Sequence, residues 1–177
     1  PEKARRLLAE AGYPGGDGLG AIDLLYNTGS QHGKICEALA SMWRDELGAR
    51  VVLRGKEVKT FAADRKNGRF MIARGGWYGD YADPTTFLDV FASGNGNNDS
   101  GMSDARFDDL LANAMSETDA NRRLSLLSRA ETLLVGDAVP VLPLFQYTQV
   151  LAIQPNVRGL HPDPRLIFPF KTISMSP

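Results

Sequence analysis

The most constraining feature of the sequence is the alternation of short apolar runs with helical patterns over residues 2–73. Apolar runs typical of strands occupy Ala21–Tyr26, Arg50–Leu53 and Phe70–Ala73, and helical patterns separate them. This βαβαβ order predicts parallel strands, because each helix carries the chain back across the sheet in a right-handed crossover. The carboxyl ends of such strands share one edge, which is the usual place for a ligand in an open α/β sheet.

Helical periodicity predicts the elements around these strands. A long amphipathic helix follows the first strand, and Gly48 stands where a C′ glycine ends a helix. Shorter helices are predicted at Glu2–Ala11, before Gly12, and at Val58–Asn67. The apolar face of the long helix contains Ile35, Cys36, Leu39, Ala40, Trp43 and Leu47.

The rest of the chain is predicted to be helical first and extended later. A turn-rich polar loop at Ser93–Ser103 interrupts the helices, and Thr118 or Asp119 is the expected N-cap of the last one. Prolines 140 and 143 favour an edge position for the strand that contains them. The predicted helices are Thr85–Phe91, Asp104–Met115 and Ala120–Val135, the last with Leu124, Leu127, Glu131 and Leu134 on one face, and the predicted strands are Val139–Phe145, Thr148–Ile153 and Phe170–Ile173.

Composition narrows the class of protein. With 177 residues, 43% hydrophobic and 23% charged, the chain is typical of a single globular domain. Its net charge of −1 and the absence of a long Lys/Arg run argue against nucleic-acid binding. No run approaches the roughly 18 apolar residues of a membrane span. The chain starts at Pro1 within a helical pattern, so we expect a piece of a longer protein.

Common metal and phosphate motifs fit poorly. The loop Gly29–Lys34 has three residues between its glycines where a phosphate-binding loop has four. Asn95, Asn97 and Asp99 alternate as calcium ligands do, but the twelfth position holds Arg106 in place of the bidentate Glu. The loop is therefore better explained by turns, and we expect no metal or cofactor there.

Nucleophiles and their helpers are equally scarce. His32 and Cys36 share one helix face but lack further ligands for a structural zinc, and Cys36 lies on the apolar face, which favours a buried thiol. The G-x-S-x-G spacing does not occur. Asp80 and Asp83 could act as an acid–base pair, as in a small α/β hydrolase, or cap the helix that follows Pro84.

The densest group of chemically useful residues is Arg74–Pro84, directly after the third strand. Its glycines let a ligand approach the backbone, its aromatic rings offer flat apolar walls, and its opposite charges suit a zwitterion. The alternative is a helix-capping turn with Trp77 and Tyr81 packed into a core. The segment directly follows the third strand, at the predicted ligand edge of the sheet.

Several segments in one register resemble the oligopeptide-binding proteins of ABC importers, extracellular solute-binding protein family 5. The resemblance implies a class II periplasmic-binding-protein-like lobe, α/β, with a mixed sheet built on a parallel βαβαβ core flanked by helices. Residues 1–177 would form a single C-terminal ligand-binding lobe, and the N-terminal lobe and hinge would lie outside it. The segments that carry the resemblance are Tyr26–His32, Val51–Leu53, Lys59–Phe61, Phe70–Leu88, Ser93–Asn98, Ala130–Glu131, Val141–Leu144 and Phe168–Lys171.

The resemblance also implies roles for single residues. Asp80 would pair with the α-ammonium of a peptide, and the Gly76–Tyr78 backbone would pair with the peptide main chain. Arg74 and His32 match residues that meet the carboxylate end of short peptides. The remaining matches are Arg65, a basic residue lining the cleft, and Trp77, a wall of the pocket. The sequence departs from some relatives at Tyr78, where they have Cys, and from many at Met71, where they have Asp.

The function implied is capture of short peptides and their delivery to the membrane permease subunits of the importer, without catalysis. A monomer in the periplasm or cell envelope, with a signal peptide upstream, is expected. The alternatives are a relative carrying a nickel chelate, haem, an opine or a sugar, and the small hydrolase mentioned above.

Overall fold

A computed structural model describes residues 1–148, 150–161 and 168–176. The chain divides into two compact units, Pro1–Gly76 and Trp77–Pro177, which are described in turn. Within the described ranges, no helix is both long and apolar enough to cross a membrane. The elements are α1 (Glu2–Glu10), β1 (Ala21–Asn27), α2 (His32–Leu47), β2 (Arg50–Lys56), α3 (Val58–Lys66), β3 (Ile72–Ala73), α4 (Thr85–Leu88), α5 (Ala105–Ser116), α6 (Ala120–Thr132), β4 (Val157–Arg158) and β5 (Ser174–Met175).

The first unit is built on a three-stranded parallel sheet in the order β2-β1-β3. β1 pairs with β2 along its whole length, from Ala21 opposite Arg50 to Asn27 opposite Lys56. β3 is shorter than predicted and pairs only through Ile72 and Ala73. The βαβαβ order expected from the sequence is therefore confirmed.

The central strand is buried on both faces. Leu24 and Leu25 are 2% and 0% exposed, and consecutive strand residues point to opposite sides of a sheet. Helices α2 and α3 supply the buried Cys36 and Phe61. A strand covered on both faces is typical of parallel α/β sheets, and it explains why β1 is an almost continuous apolar run.

The end of α2 confirms the expected glycine cap. Gly48 has φ +67°, and its N–H donates to the carbonyl of Arg44 at 3.0 Å. A Cβ placed on Gly48 would lie 1.9 Å from the carbonyl oxygen of Gly15, so the chain before β1 lies directly against the helix end. Glycine is needed here for both the backbone angle and the close approach.

The second unit has a helical core formed mainly by α4, α5 and α6. Asp104 and Asp119 cap α5 and α6, accepting hydrogen bonds from the N–H groups of Arg106 and Arg122. The apolar face expected for α6 is wrong in two positions, because Leu124 is 53% exposed and Glu131 is also exposed. The buried residues are Leu88, Phe107, Leu111, Ala114, Leu127, Ala130, Leu133 and Leu134.

The chain beyond α6 departs most from the sequence prediction. α6 continues as a π-helix, Leu133–Ala138, and the strands predicted at Val139–Phe145 and Thr148–Ile153 are wrong, because their described residues form no strand. Apolar alternation specifies a strand only when a partner strand is present, and the residues described supply none for this segment. The predicted strand Phe170–Ile173 is a 3₁₀ turn, and β5 follows it and pairs with β4 in antiparallel fashion.

Candidate functional site

Two of the candidate residues lie at the carboxyl end of the sheet in the first unit. His32 is the first residue of α2, and a short turn separates it from the end of β1. Arg74 follows β3 directly, and its N–H donates to the carbonyl of Leu25 at 2.8 Å, which extends the ladder by one bond. The parallel topology thus brings both residues to the edge where a ligand is expected.

The charge of Arg74 acts on two neighbouring groups of α2. Burial lowers the pKa of His32, the positive charge of Arg74 lowers it further, and a hydrogen bond with the Asn27 backbone opposes both. Burial raises the pKa of the Cys36 thiol, and Arg74 opposes that shift. Burial and Arg74 thus both favour the neutral form of His32. Among the described side chains, its Nδ1 is a buried atom without a hydrogen-bond partner.

The other two candidates of the first unit are Gly76 and Arg65. A Cβ on Gly76 would lie 3.4 Å from a guanidinium nitrogen of Arg74, so the bare backbone passes close to that cation. Arg65 lies in the last turn of α3, and its guanidinium carbon is 5.5 Å from the centre of the Phe61 ring. That distance fits a cation–π contact that holds the arginine against its own helix.

In the second unit, the aromatic candidates are exposed. Trp77, Tyr78 and Tyr81 retain 40%, 64% and 43% of their surface, so the alternative that Trp77 and Tyr81 are packed into a core is wrong. The hydroxyl of Tyr81 is 3.1 Å from both Thr85 Oγ1 and Asp89 Oδ2. Tyr81 is thus fixed by its polar end while its ring stays accessible.

The two acids of this segment have contrasting surroundings. The carboxylate of Asp80 is exposed and accepts no hydrogen bond from the residues described, whereas the Asp80 N–H donates to Thr86 Oγ1 at 2.9 Å. Asp83 accepts two hydrogen bonds of 2.8 Å from the guanidinium of Arg123, and also one each from the N–H and the hydroxyl of Thr85. One acid is free to meet a ligand, and the other is fully used within the protein.

The environment of Asp83 decides between two interpretations of the acid pair. The Arg123 hydrogen bonds, with those from Thr85, hold the pKa of Asp83 far below its usual range. An acid that stays ionised and paired is a poor proton donor, so a hydrolase mechanism with Asp83 as general acid finds no support. Its bond to the first N–H of α4 confirms the capping alternative.

Sequence reasoning missed Arg123 and Thr86. Arg123 lies on α6, forty residues after Asp83, and in the sequence it appears only as part of a short basic pair. Thr86 is 4% exposed, which nothing in its local sequence indicates. Thr86 and Arg123 contact residues that are not adjacent to them in sequence, so no local sequence pattern marks them. Only the fold shows their contacts.

The loop after α4 is organised by an amide side chain. Asn98 Nδ2 lies 3.2, 3.2 and 2.8 Å from the carbonyl oxygens of Phe91, Ala92 and Met102. The loop 93–103 is rich in turns, as predicted. Among the residues described, no group of three or more His, Cys, Asp or Glu side chains is placed to hold a metal ion.

Known proteins resemble the chain along most of its length. The family described as "Bacterial extracellular solute-binding proteins, family 5 Middle" matches residues 1–99. The chain is 39% identical to the periplasmic oligopeptide-binding protein OppA of Salmonella typhimurium. The 158 aligned residues cover 89% of the chain and 29% of that protein. It is 35% identical over 156 residues to a probable deoxycholate-binding periplasmic protein of Escherichia coli, YgiS, covering 88% of the chain and 29% of that protein.

A solved structure agrees with these sequence matches. The crystal structure of Haemophilus influenzae OppA in complex with RPPGFSPFR superimposes with a TM-score of 0.82 at 32% identity, over 98% of this chain and 34% of that one. The fold is therefore that of the class II periplasmic binding proteins. The chain belongs to family 5 of the bacterial extracellular solute-binding proteins. It spans less than a third of the length of the two sequence relatives named above.

Proposed function

We propose that this protein captures short peptides outside the cytoplasmic membrane and delivers them to the permease of an ABC importer. The observation that carries the proposal is that Asp80 has an exposed carboxylate on an anchored backbone. Its carboxylate is exposed and unbonded within the described structure, and the backbone that bears it is anchored to Thr86. A carboxylate held in this way is suited to a charge-assisted hydrogen bond with a peptide α-ammonium.

The other candidate residues would suit the rest of a peptide. The backbone of Gly76–Tyr78 would pair with the peptide main chain as an added strand does, which needs no particular peptide sequence. The exposed indole of Trp77 would form an apolar wall for a side chain. Arg74, with His32 beside it, and Arg65 would attract the carboxylate end. Broad tolerance of peptide sequence follows, because terminal charges and backbone are common to all peptides.

The family relationship supports the wider setting of this proposal. Residues 1–177 would be a single ligand-binding lobe, and the peptide would be held between it and a second lobe that closes by a hinge motion. The protein would act as a monomer in the periplasm or cell envelope, without turning over its ligand. OppA of Salmonella typhimurium and OppA of Haemophilus influenzae are both named for oligopeptide binding, and the latter was solved with a bound peptide.

Calorimetric titration of the full-length protein with di- to pentapeptides tests the proposal. We expect binding of peptides with a free amino terminus and a loss of about tenfold or more for Asp80→Asn, since an uncompensated charge remains on the ligand. Asp109→Asn, an exposed acid on α5, is the control and should bind normally. Absence of peptide binding, or peptide hydrolysis that Asp80→Asn abolishes, would refute the proposal.

A second candidate ligand is an amphipathic anion of the deoxycholate type. It is favoured by the relationship to the E. coli protein named for deoxycholate binding and by the exposed aromatic rings at positions 77, 78 and 81. Such a ligand has no ammonium group for Asp80 to recognise. Tight deoxycholate binding that is insensitive to Asp80→Asn, with no peptide binding, would establish this alternative.

A further inference from the structure

The turn that carries Asp80 is attached to α6 through polar contacts and the backbone of α4, in which Thr85 and Thr86 are consecutive. Arg123 on α6 grips Asp83 with two hydrogen bonds of 2.8 Å. Asp83 in turn receives the N–H and hydroxyl of Thr85, at 3.0 and 2.7 Å, at the start of α4. We call the four residues Arg123, Asp83, Thr85 and Thr86 the α6 clamp.

Thr86, the last member of the α6 clamp, contacts the turn that carries Asp80, which we call the binding turn. Thr86 follows Thr85 in α4, is 4% exposed, and accepts the backbone N–H of Asp80 at 2.9 Å. Thr85 is similarly buried, at 7% exposed. Buried hydroxyls that form such bonds have little freedom to rotate away, so the position of α4 determines the position of the Asp80 backbone.

The turn also packs closely against α4. A Cβ on Gly79 would lie 3.2 Å from Thr86 Cγ2 and 3.3 Å from Phe87 Cζ, closer than ordinary van der Waals contact. The side chain of Asp80 itself has no partner in the described structure to hold it. Its direction therefore depends on the backbone, and the backbone depends on the α6 clamp.

We propose that Arg123 is a positioning residue for ligand binding: through Asp83 and Thr86 it orients Asp80 toward the α-ammonium of the peptide without touching the ligand. This inference rests on the proposed function. A bidentate arginine–carboxylate pair fixes orientation as well as charge, so a lysine at position 123 should restore only part of the effect.

The test compares four variants of the full-length protein, with trialanine and N-acetyl-trialanine as probes. Arg123→Gln and Thr86→Val should each weaken trialanine binding about tenfold and leave the weak binding of the acetylated peptide unchanged, because only the ammonium contact is lost. Arg123→Lys should fall between wild type and Arg123→Gln. Arg122→Gln is the matched control, because Arg122 is adjacent on α6 and pairs with Glu117, away from the α6 clamp.

A second measurement follows the turn without ligand. Amide hydrogen exchange at Asp80 should become faster in Arg123→Gln and in Thr86→Val, and remain as in wild type in Arg122→Gln. If Arg123→Gln fails to fold, Arg123→Lys, which keeps the charge but not the bidentate pair, decides the question together with Thr86→Val. Retention of the full preference for trialanine in a folded Thr86→Val or Arg123→Gln protein would overturn the inference.

Adding the Asp80→Asn variant to the same titrations separates this inference from the proposed function. A wild-type protein that ignores the amino terminus, or an Asp80→Asn variant that binds trialanine normally, would refute peptide recognition by Asp80 and the inference with it. Loss of binding in Asp80→Asn together with normal binding in Arg123→Gln and Thr86→Val would refute only the positioning role.

Discussion

The two units hold their candidate binding residues by different physical means. In the first, Arg74 and His32 follow strands whose backbones are paired in a ladder around the fully buried Leu25. In the second, Asp80 stands on a turn held by a few polar contacts that end at Arg123. The positions of Arg74 and His32 should therefore depend on apolar packing of the sheet. The position of Asp80 should depend on single hydrogen bonds and on the charge of the Asp83 carboxylate.

The largest loss of stability is expected from a buried apolar residue of the sheet in the first unit. Leu25→Ala removes most of a side chain that is 0% exposed at the centre of the sheet. We expect it to lower the free energy of unfolding by about 3 kcal/mol, from lost burial and the cavity left behind. Urea denaturation gives this value directly. Leu124→Ala is the matched control on the surface of α6, with Leu124 53% exposed, and should cost less than about 0.5 kcal/mol.

The sheet was the part of the fold that sequence reasoning predicted best. Apolar runs, helical periodicity and the glycine at position 48 are local signals, and each determines an element through its own neighbours. The segment 139–153 was predicted worst, because a strand pattern does not say whether a partner strand is present. Of the candidate residues, Asp80 and Trp77 are exposed, but the anchoring of Asp80 through Thr86, Asp83 and Arg123 could not be found locally.

In the second unit, the largest loss of stability is expected when the charge of Asp83 in the α6 clamp is removed. Asp83→Asn leaves the guanidinium of Arg123 without its anionic partner, and we expect a cost of about 2 kcal/mol in unfolding free energy at pH 7. Asp109→Asn, at an exposed position of α5, should have little effect. If Asp83→Asn costs no more than this control, the Asp83–Arg123 pair does not stabilise the second unit in the way proposed.

The pH dependence of the same pair gives a sharper test. Because the folded state lowers the pKa of Asp83, its contribution is fully present above the ordinary value of 3.8 and is lost as the pH falls through the folded pKa. The difference in unfolding free energy between wild type and Asp83→Asn should therefore stay constant from pH 7 to about pH 5 and shrink below about pH 4. The Leu25→Ala difference should change little over this range.

A smaller effect is expected where the binding turn meets α4. A methyl group at Gly79 would press on Thr86 and Phe87, and Thr86 is restrained by its bond to Asp80. We expect Gly79→Ala to lower the unfolding free energy by about 1 kcal/mol. Gly75→Ala is the control, since a Cβ there meets no atom of the described residues within 4 Å. Equal effects of the two substitutions would show that the turn does not depend on its contact with α4.

The smallest effect concerns His32 at the sheet edge. Burial and the charge of Arg74 lower its folded pKa, so the unfolded chain binds the proton more readily. Stability should therefore fall as the pH drops below the unfolded value of 6.5, until the folded pKa is reached. His32→Gln should remove this slope between pH 7.5 and pH 5, and His161→Gln, at the exposed second histidine, should retain it. Acid weakens the sheet edge through His32 below about pH 6.5, and the α6 clamp only below about pH 4. The contributions of the two units to stability can therefore be told apart in one pH titration.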